Sequence, residues 1–389
     1  MSVHITIDQD VFDVQSSEDG VALAQLFSTM VRDRYPHGVV THPIYVPGGH
    51  HGPLEHWLGS RPAHEARAFR RLLESGLVHA RGPRNAVTRD ENHDPPRFYL
   101  PGPLQIHVKR RIQTDWTNRR LTVADAADLV QEPVHWAVEN RRTDTSFVLH
   151  LAESANRAIL RECLTRPTRI QTVGGGSGEI KGWLKELLVG DLTPDKWRRV
   201  LRGWVLFDRD AGHRDAREPS TSALELMELC AKIVNRYGAG LSWICLGRRK
   251  IESYVPDDGL RHEATAGQKP FVERVIDWRA RADRREWAWT VDLKRGLHGD
   301  LRPTLSDADR GAIKNGKQPL QPGMLKAPFD GCSAAELDEM KRGLGDKLGD
   351  CLRAEGTPAW AADFAAEYDR GPADQVHRSM LVQSLFDRM

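Results

Sequence analysis

The stretch Gly203–Gly212, GWVLFDRDAG, carries four apolar residues, Trp204 to Phe207, straight into Asp208 and Asp210, with Arg209 between them and a glycine turn behind. A short uninterrupted apolar run reads as a strand buried on both faces, the kind found inside a parallel sheet. The segments on either side repeat the pattern. Downstream lies a helical stretch, ALELMELCAKIVNRYG (223–238), opened by a Ser222–Glu225 capping box and closed by Gly238, and then a further apolar run, LSWICL (241–246). Upstream are the run VHWAVEN (134–140) and the helical stretch 145–164, on which Val148, Leu151, Ala152, Ala155, Ile159 and Cys163 share a face. The strand RIQTV (169–173), the turn GGGSG (174–178) and the helix EIKGWLKELL (179–188) follow. Strands alternating with helices predict an α/β fold with a Rossmann-like parallel sheet covered on both faces.

The flanks differ. Residues 1–125, rich in His, Pro and Arg, read as an N-terminal α+β domain. The helix RPAHEARAFRRLLESGLVHARG (61–82) ends near Gly76 and runs into a short strand, and FYLPGPLQIHV (98–108) reads as a β-hairpin. Helix, strand, loop and strand in that order resemble a winged helix. The parallel-sheet domain spans 130–300, and 301–389 form a C-terminal helical region. That helical character already begins beyond Ile251, with 269–289 the first helix and 333–353 another, opened by a Ser333–Glu336 capping box. No internal repeat and no low-complexity tract is read.

Composition narrows the function classes only slightly. A chain of 389 residues implies two or three domains, and a net charge of +2 says almost nothing about partners. Local clusters say more: 109–120 with Lys109, Arg110 and Arg111, 195–202, Gly247–Lys250 with Arg248 and Arg249, and 279–285. With Trp116 and Trp197 interleaved, they suit a polyanion such as a nucleic-acid backbone, although solvated helix faces look the same. Five scattered cysteines, Cys163, Cys230, Cys245, Cys332 and Cys351, argue for reduced thiols and a cytoplasmic setting. The acidic N-terminus lacks the apolar core of a leader, and no apolar run reaches membrane-span length, so no membrane partner is expected.

In an open parallel sheet, ligands bind outside the carboxyl ends of the strands. Glu139 ends the first strand, and Asp208 and Asp210 end the third. As residues two apart on a strand end, the two aspartates are expected to point the same way. Carboxylates gathered there repel one another unless a cation intervenes, and hard oxygen ligands select Mg²⁺ or Mn²⁺. Each acid also has a simpler role: Asp208 and Asp210 as helix cap or turn residues, Asp144 as an N-cap. Glu252 in LGRRKIESYVP (246–256) joins the same edge after the fourth strand, and Lys294 in WTVDLKRGL (289–297) stands in an apolar context.

A glutamate after the first strand, a glycine-rich turn after the second, DRD after the third, then RRKIESY and DLKRGL together resemble the TOPRIM domain of the OLD-type (overcoming lysogenisation defect) nucleases and related anti-phage nucleases. The resemblance covers about two-fifths of the chain, from Val134 to Asp300. It departs at ENRRTD, where Asn140 replaces the family glycine and one additional residue precedes Asp144. The resemblance implies that Glu139, Asp208, Asp210 and Glu252 hold two metal ions, Asp144 assists, and Lys294 acts beside the scissile phosphate of DNA or tRNA, with Arg249 an alternative. It also implies a role in antiviral defence and a separate ATPase partner. No ATP loop is expected here, because GGGSGEIK lacks the P-loop spacing and GAIKNGKQ (311–318) has Gln318 where a hydroxyl residue is needed.

Other readings remain open at this stage. They are a nucleic-acid-binding regulator, a TOPRIM subunit of a condensin-like (SMC-type) complex, and strand passage by a nucleophilic tyrosine. DRDAG does not supply the DxDx[TV] of a HAD-type phosphatase. The C-terminal helices are expected to serve homodimer or partner contact.

Overall fold

The computed structural model describes residues 3–13, 17–32, 43–49, 52–80, 87–166, 169–238, 240–346, 348–352 and 359–389. The strands are β1 (His4–Ile7), β2 (Ile44–Tyr45), β3 (Thr88–Arg89), β4 (Phe98–Leu100), β5 (Gln105–Val108), β6 (Arg120–Leu121), β7 (Val134–Val138), β8 (Ile170–Val173), β9 (Gly203–Phe207) and β10 (Ser242–Cys245). They form two sheets, ordered β2-β1-β5-β6 and β3-β4-β10-β9-β7-β8.

The larger sheet contains the four strands read from the sequence, all parallel, in the spatial order β10-β9-β7-β8. From β7 the chain steps outward to β8, then returns to the other side of β7 for β9 and β10. The order therefore reverses between β7 and β9, and that reversal opens a crevice at their carboxyl ends. Pairing of Ala137 with Val205 and Val138 with Leu206 fixes the register there.

Period-two alternation divides the strand residues between two cores. Trp136, Val138, Trp204, Leu206 and Ile244 face a core shared with the helices Arg141–Leu151 and Ser154–Leu164 and with the C-terminal region. Ala137, Val205, Phe207, Trp243 and Cys245 face a core shared with Ser177–Leu188, Pro194–Leu201, Thr221–Tyr237 and the N-terminal region. Both faces are dry, which is why these strands read as unbroken apolar runs.

Several expectations are corrected. The segment 98–108 is no hairpin: β4 pairs antiparallel with β10 in the large sheet, and β5 lies between β1 and β6 in the small, all-parallel one. Stacking of Tyr99 on Trp243, ring centroids 4.9 Å apart, draws β4 to the larger sheet. The described N-terminal residues thus have no winged-helix hairpin. The helix Ala63–Ala80 passes through Gly76 without becoming a strand. The helical stretch 145–164 is two helices broken at Ala152–Glu153, which leaves Ala155 exposed. The capping box at Ser333–Glu336 forms, but its helix stops at Met340; Lys347 and 353 of the expected helix lie outside the described residues.

The cap of Thr221–Tyr237 also shifts. Ser220, not Ser222, accepts the Ala223 N–H (3.1 Å), and Gly238 closes the helix in the left-handed conformation (φ 67°). Ser222 instead meets Ser177 side chain to side chain. Ser220→Ala should therefore cost about 1 kcal/mol in urea unfolding, and Ser222→Ala clearly less; the reverse order would restore the cap to Ser222.

Candidate functional site

The crevice between β7 and β9 receives its acids from consecutive strand ends. Glu139 follows β7 and is half-buried. Asp208, the first residue after β9, donates its backbone N–H to the Glu139 carboxylate. The next helix, Arg141–Leu151, begins at once. Asn140 is its cap, accepting the N–H groups of Arg142 and Thr143 at 3.2 Å each. Asp144 is therefore no N-cap: it lies inside the first turn, buried, with Oδ2 accepting the Asn140 N–H at 2.9 Å.

The mount for the two aspartates differs from the strand geometry expected. Extended backbone ends at Phe207, and Asp210 adopts a left-handed conformation (φ 53°), which aspartate tolerates better than most side chains. Its N–H donates to the Arg249 carbonyl (2.8 Å), and its Oδ1 meets Lys250 Nζ at 3.1 Å. Asp208 Oδ1 accepts the Ile251 N–H (3.1 Å). Glu252, buried in the 3-10 turn Ile251–Tyr254, holds Lys294 Nζ at 2.6 Å from Oε1.

The electrostatics bind these residues into one site. Burial, and then the charge of Asp210, push the Glu139 carboxyl up to about 7. Burial raises Asp144 to about 7 as well, helped by Glu139 and Glu252 and opposed by the Asn140 N–H. Asp208 is raised well above the carboxylate range by burial and by Glu139, Glu252 and Asp144. Five carboxylates converge, and Lys250 and Lys294 are the two ammonium groups paired with them. Lys326 stands near the Asp210 side, its ammonium depressed by burial.

The arginines expected to meet nucleic acid do not line this crevice. Arg248 is fully buried, donating to Glu367 Oε1, the Glu367 carbonyl and the Ser253 carbonyl, each at 2.7 Å, with Tyr254 and Trp289 against its guanidinium. Arg249 is buried between Asp300 (2.6 Å) and Asp292 (3.4 Å), so it cannot be the phosphate-facing alternative to Lys294. Lys109 pairs with Asp8 and Arg110 with Asp13, while Arg111 is exposed; all three follow β5 of the other sheet. Trp116 and Trp197 are core residues stacked on each other, unable to receive unpaired bases. Sequence reasoning missed Lys250, although it directly follows the two arginines in GRRK.

The glycine turn is not an anion cradle. The Glu179 carboxylate occupies the space that a Cβ on Gly175 would take, so the loop already faces its own anion. GAIKNGKQ is the end of the helix Asp307–Lys314 and its exit turn, whereas a phosphate loop precedes its helix. Tyr254, near Asp208, accepts the Arg248 N–H, donates to Gln375 Oε1 and is pushed up to about 12 mainly by burial, so it is not poised for strand passage. No described helix is long and apolar enough to cross a membrane.

Among the described residues no three His, Cys, Asp or Glu groups converge tightly enough to cage an ion as they stand. The donor set nonetheless fits a hard divalent cation. It consists of carboxylate oxygens, enclosed and in excess of the ammonium groups beside them, three of them held above their ordinary protonation range. No family model, curated protein or solved structure matches the chain.

Two outcomes follow. The folded state holds the Asp144 proton more tightly than the unfolded chain, so Asp144 lowers stability as pH rises from about 4 through about 7. In EDTA, Asp144→Asn should raise stability by about 1–3 kcal/mol at pH 8, with the gain shrinking by pH 5; a pH-independent difference in urea midpoints would contradict this. Arg248→Met should cost about 3–5 kcal/mol because Glu367 loses a buried partner, whereas an arginine devoted to substrate would leave the urea midpoint unchanged.

Proposed function

We propose that the chain is a metal-dependent nuclease and that its parallel-sheet domain is a TOPRIM domain of the OLD-type kind. The observation that carries this reading is the convergence of Glu139, Asp144, Asp208, Asp210 and Glu252, from three strand ends and one helix turn, on the crevice where the strand order reverses. Glu139, Asp208, Asp210 and Glu252 would hold Mg²⁺ or Mn²⁺, with Asp144 behind them. When bound, such ions activate water and neutralise charge on a phosphodiester.

The chain's own residues divide the remaining tasks. Lys294, already anchored on Glu252, presents a fixed positive charge where the transferring phosphate gains negative charge. Lys250 and Lys326 extend that positive rim on the Asp210 side. Burial and acidic neighbours push the Asp144 and Glu139 carboxyls up, which favours a cation beside them. The Asn140 cap and the Ile251 N–H fix the orientations of Asp144 and Asp208. The resemblance adds a setting in phage defence and an ATPase on a separate chain.

Incubation with plasmid DNA, single-stranded DNA and total tRNA in Mg²⁺ or Mn²⁺ tests the reading. Scission should require the metal and stop in EDTA. Asp208→Ala should abolish it, and Lys294→Ala should slow it by about 10²-fold or more. Undiminished cutting by Asp208→Ala would remove the acid cluster from the chemistry.

A further inference from the structure

The tetrapeptide Lys-Arg-Gly-Leu occurs twice, at 294–297 and at 341–344. The fold sets the two copies against each other. The Leu344 N–H donates to the Leu293 carbonyl (2.8 Å), the Gly345 N–H to the Lys294 carbonyl (2.9 Å) and the His298 N–H to the Lys341 carbonyl (3.3 Å). Both glycines are required by this contact. A Cβ on Gly296 would strike the Met340 carbonyl, one on Gly343 would strike the Leu293 carbonyl, and Gly296 also has φ 61°.

Backbones this close bring the flanking side chains to one concavity of about 490 Å³, lined by Lys294, Arg295, Arg342, Lys314, His298 and Gln268, together with glycine backbone. No carboxylate of the described residues lines it. Lys294 is committed to Glu252, but Arg295, Lys314 and Arg342 are exposed and have no ion-pair partner among the described residues. The crowding is felt locally: burial and the charges of Arg342, Lys314 and Lys341 hold His298 below its ordinary range, toward the neutral imidazole. Unpaired cations gathered in one hollow favour an anion there.

We infer that this pocket holds a backbone phosphate of a nucleic-acid strand, next to the one presented to the acid cluster. The inference rests on the nuclease reading for what lies beyond Lys294, because that residue belongs to both places: it lines the pocket and its ammonium touches Glu252. Arg295 and Arg342 bring planar, multi-donor guanidinium groups suited to phosphate oxygens, and Lys314 adds a point charge. The pocket thereby gives the strand a direction across the crevice. The acids alone, with their excess negative charge, would repel it.

The test measures binding apart from cutting. A short fluorescein-labelled single-stranded oligonucleotide, as DNA and as RNA, is titrated in EDTA by fluorescence anisotropy over a series of salt concentrations. The doubly substituted Arg295→Ala, Arg342→Ala protein should bind at least tenfold more weakly, with the slope of log K against log salt shallower by about 1. Lys314→Glu should weaken binding independently. These side chains are exposed, and an unchanged melting temperature will show that the variants fold. A wild-type chain that binds through the pocket but cuts nothing with any metal leaves the pocket standing and removes the nuclease reading. A chain that cuts while both variants bind with wild-type affinity and salt slope overturns the pocket. So does a pocket that takes inorganic phosphate or ATP while the oligonucleotide binds equally well to wild type and variants.

Discussion

The constraint on which this molecule turns is the enclosure of more carboxylates than ammonium groups at one rim of a dry sheet. Glu139, Asp144, Asp208, Asp210 and Glu252 each raise the cost of ionising another, and Lys250 and Lys294 offset only part of it. An arrangement of this kind works against stability, since a buried charge without a partner is expensive. Its persistence needs a framework stable enough to carry the strain. The strands supply it: Trp136, Trp204 and Trp243 are fully or almost fully buried in the sheet itself, and both faces are covered.

The two flanking regions provide that cover. The N-terminal residues share a core with one face of the large sheet, and the C-terminal residues with the other. The last residues are sewn to the sheet by polar contacts as well. Trp204 Nε1 donates to Ser384 Oγ (2.8 Å), Arg202 to the Met389 carbonyl (2.9 Å) and Arg388 to the Gly240 carbonyl (2.7 Å). These contacts lie at the amino ends of β9 and β10, so the residues after 300 take part in the architecture of the sheet, where the sequence alone presented them as an appended helical region.

What was legible in the sequence was whatever local pattern dictates. The four parallel strands were readable because burial on both faces makes a strand uniformly apolar, and the acids were readable because they stop those runs. What was hidden depends on partners far away in the chain. Arg248 looks like part of a surface basic patch until Glu367, more than a hundred residues on, closes over it. Trp116 and Trp197 look like base-stacking residues among arginines until they meet in the core. The pair β4 and β5 reads as a hairpin because nothing local records that each has a better neighbour in a different sheet. The cap at Ser220 was missed by two residues, because several Ser and Thr residues there compete for one role.

Arg249 shows how the same chemistry can be turned inward. Its carbonyl receives the Asp210 N–H, its own N–H donates to the Trp289 carbonyl, and its guanidinium lies between Asp300 and Asp292. Asp292 in turn accepts the N–H groups of Lys294 and Arg295 with Oδ1 (3.0 Å each). One residue thus ties the Asp210 arm of the site to the Lys294 arm. It also divides the local acids into two sets. Asp292 and Asp300 share one buried guanidinium, which offsets part of their charge and fixes their geometry. The carboxylates facing the crevice outnumber the ammonium groups of Lys250 and Lys294 paired with them. An arginine free to touch substrate would reverse that division, leaving Asp292 and Asp300 unpaired in the interior and the Lys294 loop without its anchor. The burial of Arg249 therefore holds the two arms of the acid cluster in place.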